Sequence, residues 1–178
     1  ADEKRGWIVG QLGTILRTED GGQTWTAQEN PKAKEGSHLF SVYAIDANTA
    51  LAIGEWGSIL YTENAGKIWE DRSFLIHEKH PQFIWLAPAQ QQRVREGDRV
   101  YEDVGLNNVH CLAGSNACWI VGEFGSIYRS TDRFKTWEPG KIVGRIGVDP
   151  VGFASFSTEV SEEAEARLSD FVAQIIDQ

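Results

Sequence analysis

The chain contains no methionine. As given it lacks an initiator residue, and it reads as a processed mature protein or as a piece of a longer one. No secretory signal opens it, and no run of about 18 apolar residues occurs that could span a membrane. Positive charge is scarce: 17 Lys and Arg stand against 26 Asp and Glu, a formal net charge of −9. That is the opposite of the basic footprint of a nucleic-acid binder, so no nucleic acid is expected as a partner. No Gly-rich stretch leads into a helix with a lysine, which excludes a phosphate-cradling loop. No nucleophile triad can be read, and no cofactor is expected. What is plentiful is glycine (18) and tryptophan (7) in 178 residues, a length that suits one domain. Gly-marked turns with aromatic anchors point to short strands rather than long helices.

One pattern accounts for both. "TEDGGQTW" (18–25) returns as "TENAGKIW" (62–69) and "STDRFKTW" (130–137). Each copy follows a matching stretch: "WIVGQLGTILR" from Trp7, "LAIGEWGSILY" from Leu51 and "WIVGEFGSIYR" from Trp119. The closing tryptophans lie 44 and 68 residues apart (25 to 69, 69 to 137), and Gly10, Gly54 and Gly122 keep the same offsets. In each copy an apolar strand ends at Gly-x-x-Gly, a two-residue hairpin signal. A second strand runs into an aspartate turn, and a further strand starts at the tryptophan. "HLFSVYAID" (38–46) and "LNNVHCLAG" (106–114) supply one more strand upstream of the second and third copies. Four strands per unit with a period near 44 is the signature of a β-propeller blade. The expected fold is therefore all-β: about three four-stranded blades over residues 1–157, with an inter-blade insertion within 71–105.

The repeat resembles the Asp-box, S/T-x-D-x-G-x-T-W. Its longer form, W-x-V-G-x-x-G-x-I-x-x-T-x-D-G-G-x-T-W, looks most like the photosystem II assembly and stability factor family of propellers. Residues 6–26 match well; residues 106–138 carry Arg133 and Phe134 in place of the glycines; residues 49–70 carry Asn64 for the acid and Ile68 for the threonine. The resemblance implies a structural Asp-box, in which Asp20, Asn64 and Asp132 tie down their own turns and Trp25, Trp69 and Trp137 fill the space between blades. It implies a non-catalytic scaffold or assembly factor that binds a protein client, such as a subunit of a membrane complex. An arginine-rich patch is implicated in binding in that family. Arg17 and Arg129 occupy equivalent strand positions, with Tyr61 between them. Because Asp-box propellers are mostly extracytoplasmic, the periplasm, a thylakoid lumen or secretion is the expected location.

The hairpin corners carry Gln11-Leu12, Glu55-Trp56 and Glu123-Phe124. A turn tip ordinarily holds Asn, Asp or Gly. An apolar residue at every copy either folds back onto the next blade or forms a row of tips that binds a partner. Glu55 and Glu123 read as a repeated surface. The main rival is a carbohydrate-active Asp-box protein of sialidase or glycosidase type, which would need facing carboxylates. A truncated propeller fragment is the other alternative. His77 and His80 read as part of a solvated loop, and no metal site is expected. Cys111 and Cys118 face each other if a hairpin centres on Gly114-Ser115, and they are either a cross-strand disulfide or two small buried thiols.

From Ser161 a capped helix with one apolar stripe (Ala164, Leu168, Phe171, Val172, Ile175) is expected, so that 158–178 form a C-terminal α-helix. "VGFASFS" (151–157) falls where the next unit's first strand should begin. Three blades are too few for an ordinary ring. Either the chain is an excerpt, or two copies join as a homodimer with six blades, residues 151–157 of one completing the first blade of the other.

Overall fold

The computed structural model describes residues 1–142, most of them in the compact unit Ala1–Gly140. The strand expected at 151–157, the domain boundary at 157 and the helix expected over 158–178 lie outside the described residues. Three antiparallel sheets follow one another along the chain. Blade 1 is three-stranded: β1 (Gly6–Val9), β2 (Ile15–Thr18) and β3 (Thr26–Ala27). Blade 2 is β4 (Leu39–Ala44), β5 (Ala50–Gly54), β6 (Ile59–Thr62) and β7 (Glu70–Asp71). Blade 3 is β8 (Leu106–Cys111), β9 (Cys118–Gly122), β10 (Ile127–Ser130) and β11 (Glu138–Pro139). Both complete blades are meanders with the same irregularity in their first strand, between Leu39 and Ser41 and between Leu106 and Asn108.

Strand alternation explains the packing. In β5, Ala50 and Ala52 point to blade 1 and join a core with Trp7, Ile15, Leu60 and Trp69. Leu51 and Ile53 point the other way, into a core with Ile59, Tyr61, Leu106, Val109, Ile120 and Phe134. The period of two along a doubly covered strand gives the middle blade no solvent face. Gln28 clips the first joint: its Oε1 accepts both Trp7 Nε1–H (3.0 Å) and Trp69 Nε1–H (3.1 Å), while its Nε2 donates to Ala65 O (2.8 Å).

The Asp-box turns are closed by side chains. Thr18 and Thr24 hydroxyls donate to the two oxygens of Asp20 (2.8 and 2.6 Å), and Thr24 N–H donates to Oδ1 (2.9 Å). Ser130, Thr136 and Asp132 repeat the arrangement. In the middle copy the acid is Asn64, whose Oδ1 accepts from Thr62 and from Ile68 N–H (2.9 Å). Asn64 offers one carbonyl oxygen where Asp20 and Asp132 offer two. The residue that would use the second oxygen is there an isoleucine. In the third copy Arg133 and Phe134 keep the left-handed backbone of the glycines they replace (φ 61° and 70°). Phe134 is buried between blades 2 and 3 against Tyr61 and Trp137, a packing gain that offsets the conformational cost.

Two elements lie outside the blades. A short helix, α1 (Pro31–Glu35), is capped by Asn30, whose Oδ1 accepts Ala33 N–H. It delivers Lys32, which is fully buried, to Glu35 (2.8 Å), Asp71 (3.3 Å) and the face of the Tyr101 ring (3.5 Å). Burial pushes the Tyr101 hydroxyl up, helped by its bond to Glu35. Burial also works to raise Asp71, but Ser73, Lys32 and Arg99 outweigh it and hold that carboxyl below its usual range. The insertion between β7 and β8 has its own small core of Ile76, Phe83 and Val100 and a second helix, α2 (Pro88–Arg95). Leu75 and Tyr101 bridge its two arms.

Removing a partner from a buried ion pair costs about 3–5 kcal/mol. Lys32→Met is expected at the lower end, because Arg99 (3.1 Å) still faces Asp71. The loss is read as a fall in the urea-unfolding free energy.

The Asp-box acids give a second expectation. Hydrogen bonds from Thr24 and Thr136 lower Asp20 and Asp132 to about 2, below the ordinary 3.8. A depressed folded-state value means that the stabilisation is complete above about pH 4 and is lost as pH falls through about 2. Thermal melts across that window should show this decline, and the Asp20→Asn, Asp132→Asn double variant should flatten it.

Candidate protein-binding face

The corners between β1 and β2, β5 and β6, and β9 and β10 are not built as two-residue loops on Gln11-Leu12, Glu55-Trp56 and Glu123-Phe124. Gly10 N–H bonds Thr14 O (3.0 Å) and Thr14 N–H bonds Gln11 O (3.0 Å), and the same pairs recur at Gly54/Ser58 and Ser58/Glu55 and at Gly122/Ser126 and Ser126/Glu123. The central residues are therefore Leu12-Gly13, Trp56-Gly57 and Phe124-Gly125, one place later than the glycine spacing suggests. All six have positive φ: 54° and 66°, 56° and 59°, 55° and 73°. That is the geometry of a type I′ turn, whose first position favours Asn or Gly. Here it holds Leu, Trp or Phe, and the side chains remain in solvent: Leu12 62%, Trp56 50% and Phe124 92% exposed. They do not fold back into a core.

The first glycine of the second and third pairs has a different task. At Gly54 an added Cβ would lie 2.0 Å from His38 O, and at Gly122 2.5 Å from Gly105 O. These glycines admit the backbone that begins the blade's first strand. The glutamates hold the same backbone. Glu55 N–H donates to His38 O (3.0 Å) and its Oε2 accepts His38 N–H (2.9 Å); Glu123 does the same with Gly105 (2.8 and 2.9 Å). Each carboxylate is thus a clamp within its own blade, a role that sequence pattern alone did not show.

The insertion rises from the same corner of blade 2. Gly57 N–H donates to Val104 O (2.7 Å), and Phe74 N–H donates to Gly57 O (3.0 Å). It adds Ile84 and Trp85, 71% and 56% exposed, to the apolar residues at this end. The two equivalent arginines part company. Arg17 lies in the joint between blades 1 and 2, with 13% of its side chain exposed, over the Trp7 ring and paired with Glu19. Arg129 is exposed on the far side of blade 3. The structure does not bring them together. Trp69 is buried and Trp137 packs against the second core, while Trp25 is 39% exposed on blade 1. Cys111 and Cys118 are register partners at the opposite end of blade 3 and are joined by a disulfide. Among the described residues no group of three His, Cys, Asp or Glu is placed to hold a metal ion.

Clamped strands, apolar I′ tips and Asp-box turns recur from blade to blade, and the comparisons match the fold that they build. Residues 1–82 match the family described as photosynthesis system II assembly factor YCF48. No curated protein matches the chain. Two solved structures share its fold. "YCF48 bound to D1 peptide" is 24% identical over 78% of this chain, with a TM-score of 0.54. "YCF48 from Cyanidioschyzon merolae" is 22% identical over 76%, with a TM-score of 0.50. The match takes in 36% and 35% of those two chains, about a third of their length. The likeness to those structures is one of fold.

A non-glycine residue held in the left-handed region costs on the order of 1 kcal/mol. Phe124 touches little and should show that cost cleanly. Phe124→Gly and Phe124→Asn are expected to raise the unfolding free energy by about 1 kcal/mol, whereas Phe124→Ala should leave it nearly unchanged. Urea denaturation of the three variants checks the order.

Proposed function

We propose that this chain is a non-catalytic, protein-binding propeller scaffold of the photosystem II assembly-factor type. One observation carries the reading: at three equivalent corners a large apolar side chain is held in solvent, in a backbone conformation that disfavours it. Such a residue is costly in conformation and in hydration, and folding alone does not repay it. A partner surface does. Leu12, Trp56 and Phe124 form the contact row, with Glu55 and Glu123 fixing the corners beneath it and Arg129 as a flanking charge. One of the fold relatives was solved with a D1 peptide, and a peptide segment of a membrane-complex subunit is the client class proposed here. The carbohydrate-active alternative draws no support, since Glu55 and Glu123 are each engaged by their own blade's backbone. The proposed setting is extracytoplasmic. The Cys111–Cys118 disulfide suits an oxidising compartment, and no helix among the described residues is long and apolar enough to cross a membrane. The proposal extends to assembly: two copies pair, each contributing half of a six-bladed ring.

Fluorescence anisotropy with a labelled D1 peptide tests the client reading. The Trp56→Asn, Phe124→Asn double variant should bind at least about tenfold more weakly, equivalent to about 1.4 kcal/mol, with a melting temperature no lower than that of the parent. Unchanged affinity would remove the corners from the site.

A further inference from the structure

The geometry points to a proton-driven latch in the insertion: neutral His80 caps the short 3-10 helix Pro81–Trp85, and protonated His80 gives up that cap to close on Glu102. The latch goes beyond the binding role proposed above and is independent of what the corners bind.

The insertion is held to the blades through two adjacent residues of its returning arm. Tyr101 enters the cluster around Lys32, where Lys32 and Arg99 both face Asp71 and that carboxyl is held below its usual range. Lysine, arginine and a depressed carboxylate keep their charges between about pH 5 and 8, so this attachment does not respond to mild acid. Glu102 makes the second attachment. Its N–H donates to Phe74 O (3.0 Å), and Phe74 is the residue whose own N–H donates to Gly57 O at the corner of blade 2. Its Oε1 accepts the Tyr128 hydroxyl of β10 (3.5 Å), and its Oε2 lies 3.7 Å from His80 Nε2. The side chains of His80 and Glu102 are 17% and 15% exposed. Burial pushes the Glu102 carboxyl up, against the opposing pull of His80 and Tyr128.

His80 has two uses for one ring. Its Nδ1 accepts Gln82 N–H (3.2 Å), which caps Pro81–Trp85. A nitrogen that accepts carries no proton, so the neutral ring holds its proton on Nε2, towards Glu102. At 3.7 Å that contact is longer than a hydrogen bond. A second proton can enter only at Nδ1. There it sets two donors, Nδ1–H and Gln82 N–H, against each other, while the positive ring is drawn to the Glu102 carboxylate. Protonation therefore exchanges the cap for an ion pair. The surrounding charges supply no other acceptor for the ring. His77, with its ring centroid 5.7 Å from that of His80, repels it once both are charged. Arg95 of α2 pairs with Glu78 (3.7 Å) and lies over the Phe83 ring. Lys79 and Asp103 flank the pair in sequence, and the backbone of Asp103 is bonded to the Gln82 side chain. Phe83 is buried in the insertion's own core, and Ile84 after it is exposed. Loss of the cap frees the turn that presents Ile84.

Nitrogen-15 NMR on the 178-residue chain reads the latch. At about pH 8 the His80 ring is expected to show a bare Nδ1 and a protonated Nε2. From about pH 8 to about pH 5, the range in which imidazoles gain charge, hydrogen-exchange protection of the Gln82 amide should fall about fivefold, the worth of one cap, with the midpoint of the His80 ring itself. His80→Asn keeps an acceptor at the cap and cannot gain a proton, so it should hold the protection and lose the response. Glu102→Gln should keep the cap and move the midpoint to lower pH, because the carboxylate favours the charged ring. A proton on Nδ1 at about pH 8, or a Gln82 amide that does not follow the His80 ring, overturns the latch, and both are read on the parent chain without any variant. A response that persists in His80→Asn overturns it by assigning the proton to another group, His77 first. A midpoint unmoved by Glu102→Gln overturns the closure on Glu102.

Discussion

Burial of the middle blade on both sides is the constraint on which the rest of the described structure depends. β5 and β6 present side chains alternately to blade 1 and blade 3, and the residues at these joints are almost wholly withdrawn from water. Full burial of one such aliphatic side chain is worth about 1.5–3 kcal/mol. A blade made of strands only two to six residues long could not stand alone. It holds because it is stacked. The Asp-box turns, the Gln28 clip and the glutamate clamps do not provide that driving force. They fix how far the strands run and where each blade starts, so that alternating residues meet the correct neighbour.

This division leaves the corners free for another use. The turn geometry is set by backbone hydrogen bonds and by the second glycine, and the first strand is held by the clamp below. The residue at the tip is therefore under little demand from the fold. Its apolar character in all three repeats calls for a reason outside the blade. The insertion reinforces the same end, and the buried Lys32 cluster ties that insertion to α1 through Asp71 and Tyr101. Two connections that are distant in sequence thus become a single support beside the corners.

Much of this was legible in the residues. The repeated octapeptides place three blades, and the spacing of their tryptophans locates the long insertion between the second and third. The symmetric placement of Cys111 and Cys118 about Gly114-Ser115 matches the observed register. What was not legible depends on contacts between segments far apart in the chain. The centre of the I′ turn lies one residue later than Gly-x-x-Gly suggests, and at Gly54 and Gly122 the first glycine instead makes room for the backbone that begins the blade. Arg17 and Arg129 look alike in their repeats, yet one lies within a joint and the other at the end of the stack. α1 is too short to announce itself by periodicity, and a lysine gives no local sign that it will be buried.

The glycines at the corner entrances also separate two rules that the motif writes as one letter. At Gly54 and Gly122 a methyl group would collide with a carbonyl oxygen, whereas at Gly10 it would find its nearest neighbour, Thr14, 4.0 Å away. Among the described residues, blade 1 has no strand there to make the collision. A saturation scan of this chain would therefore record two of the three equivalent glycines as invariant and the third as tolerant. The tolerance at Gly10 would measure whether that slot is empty, and it would disappear if any strand, from whatever source, came to fill it.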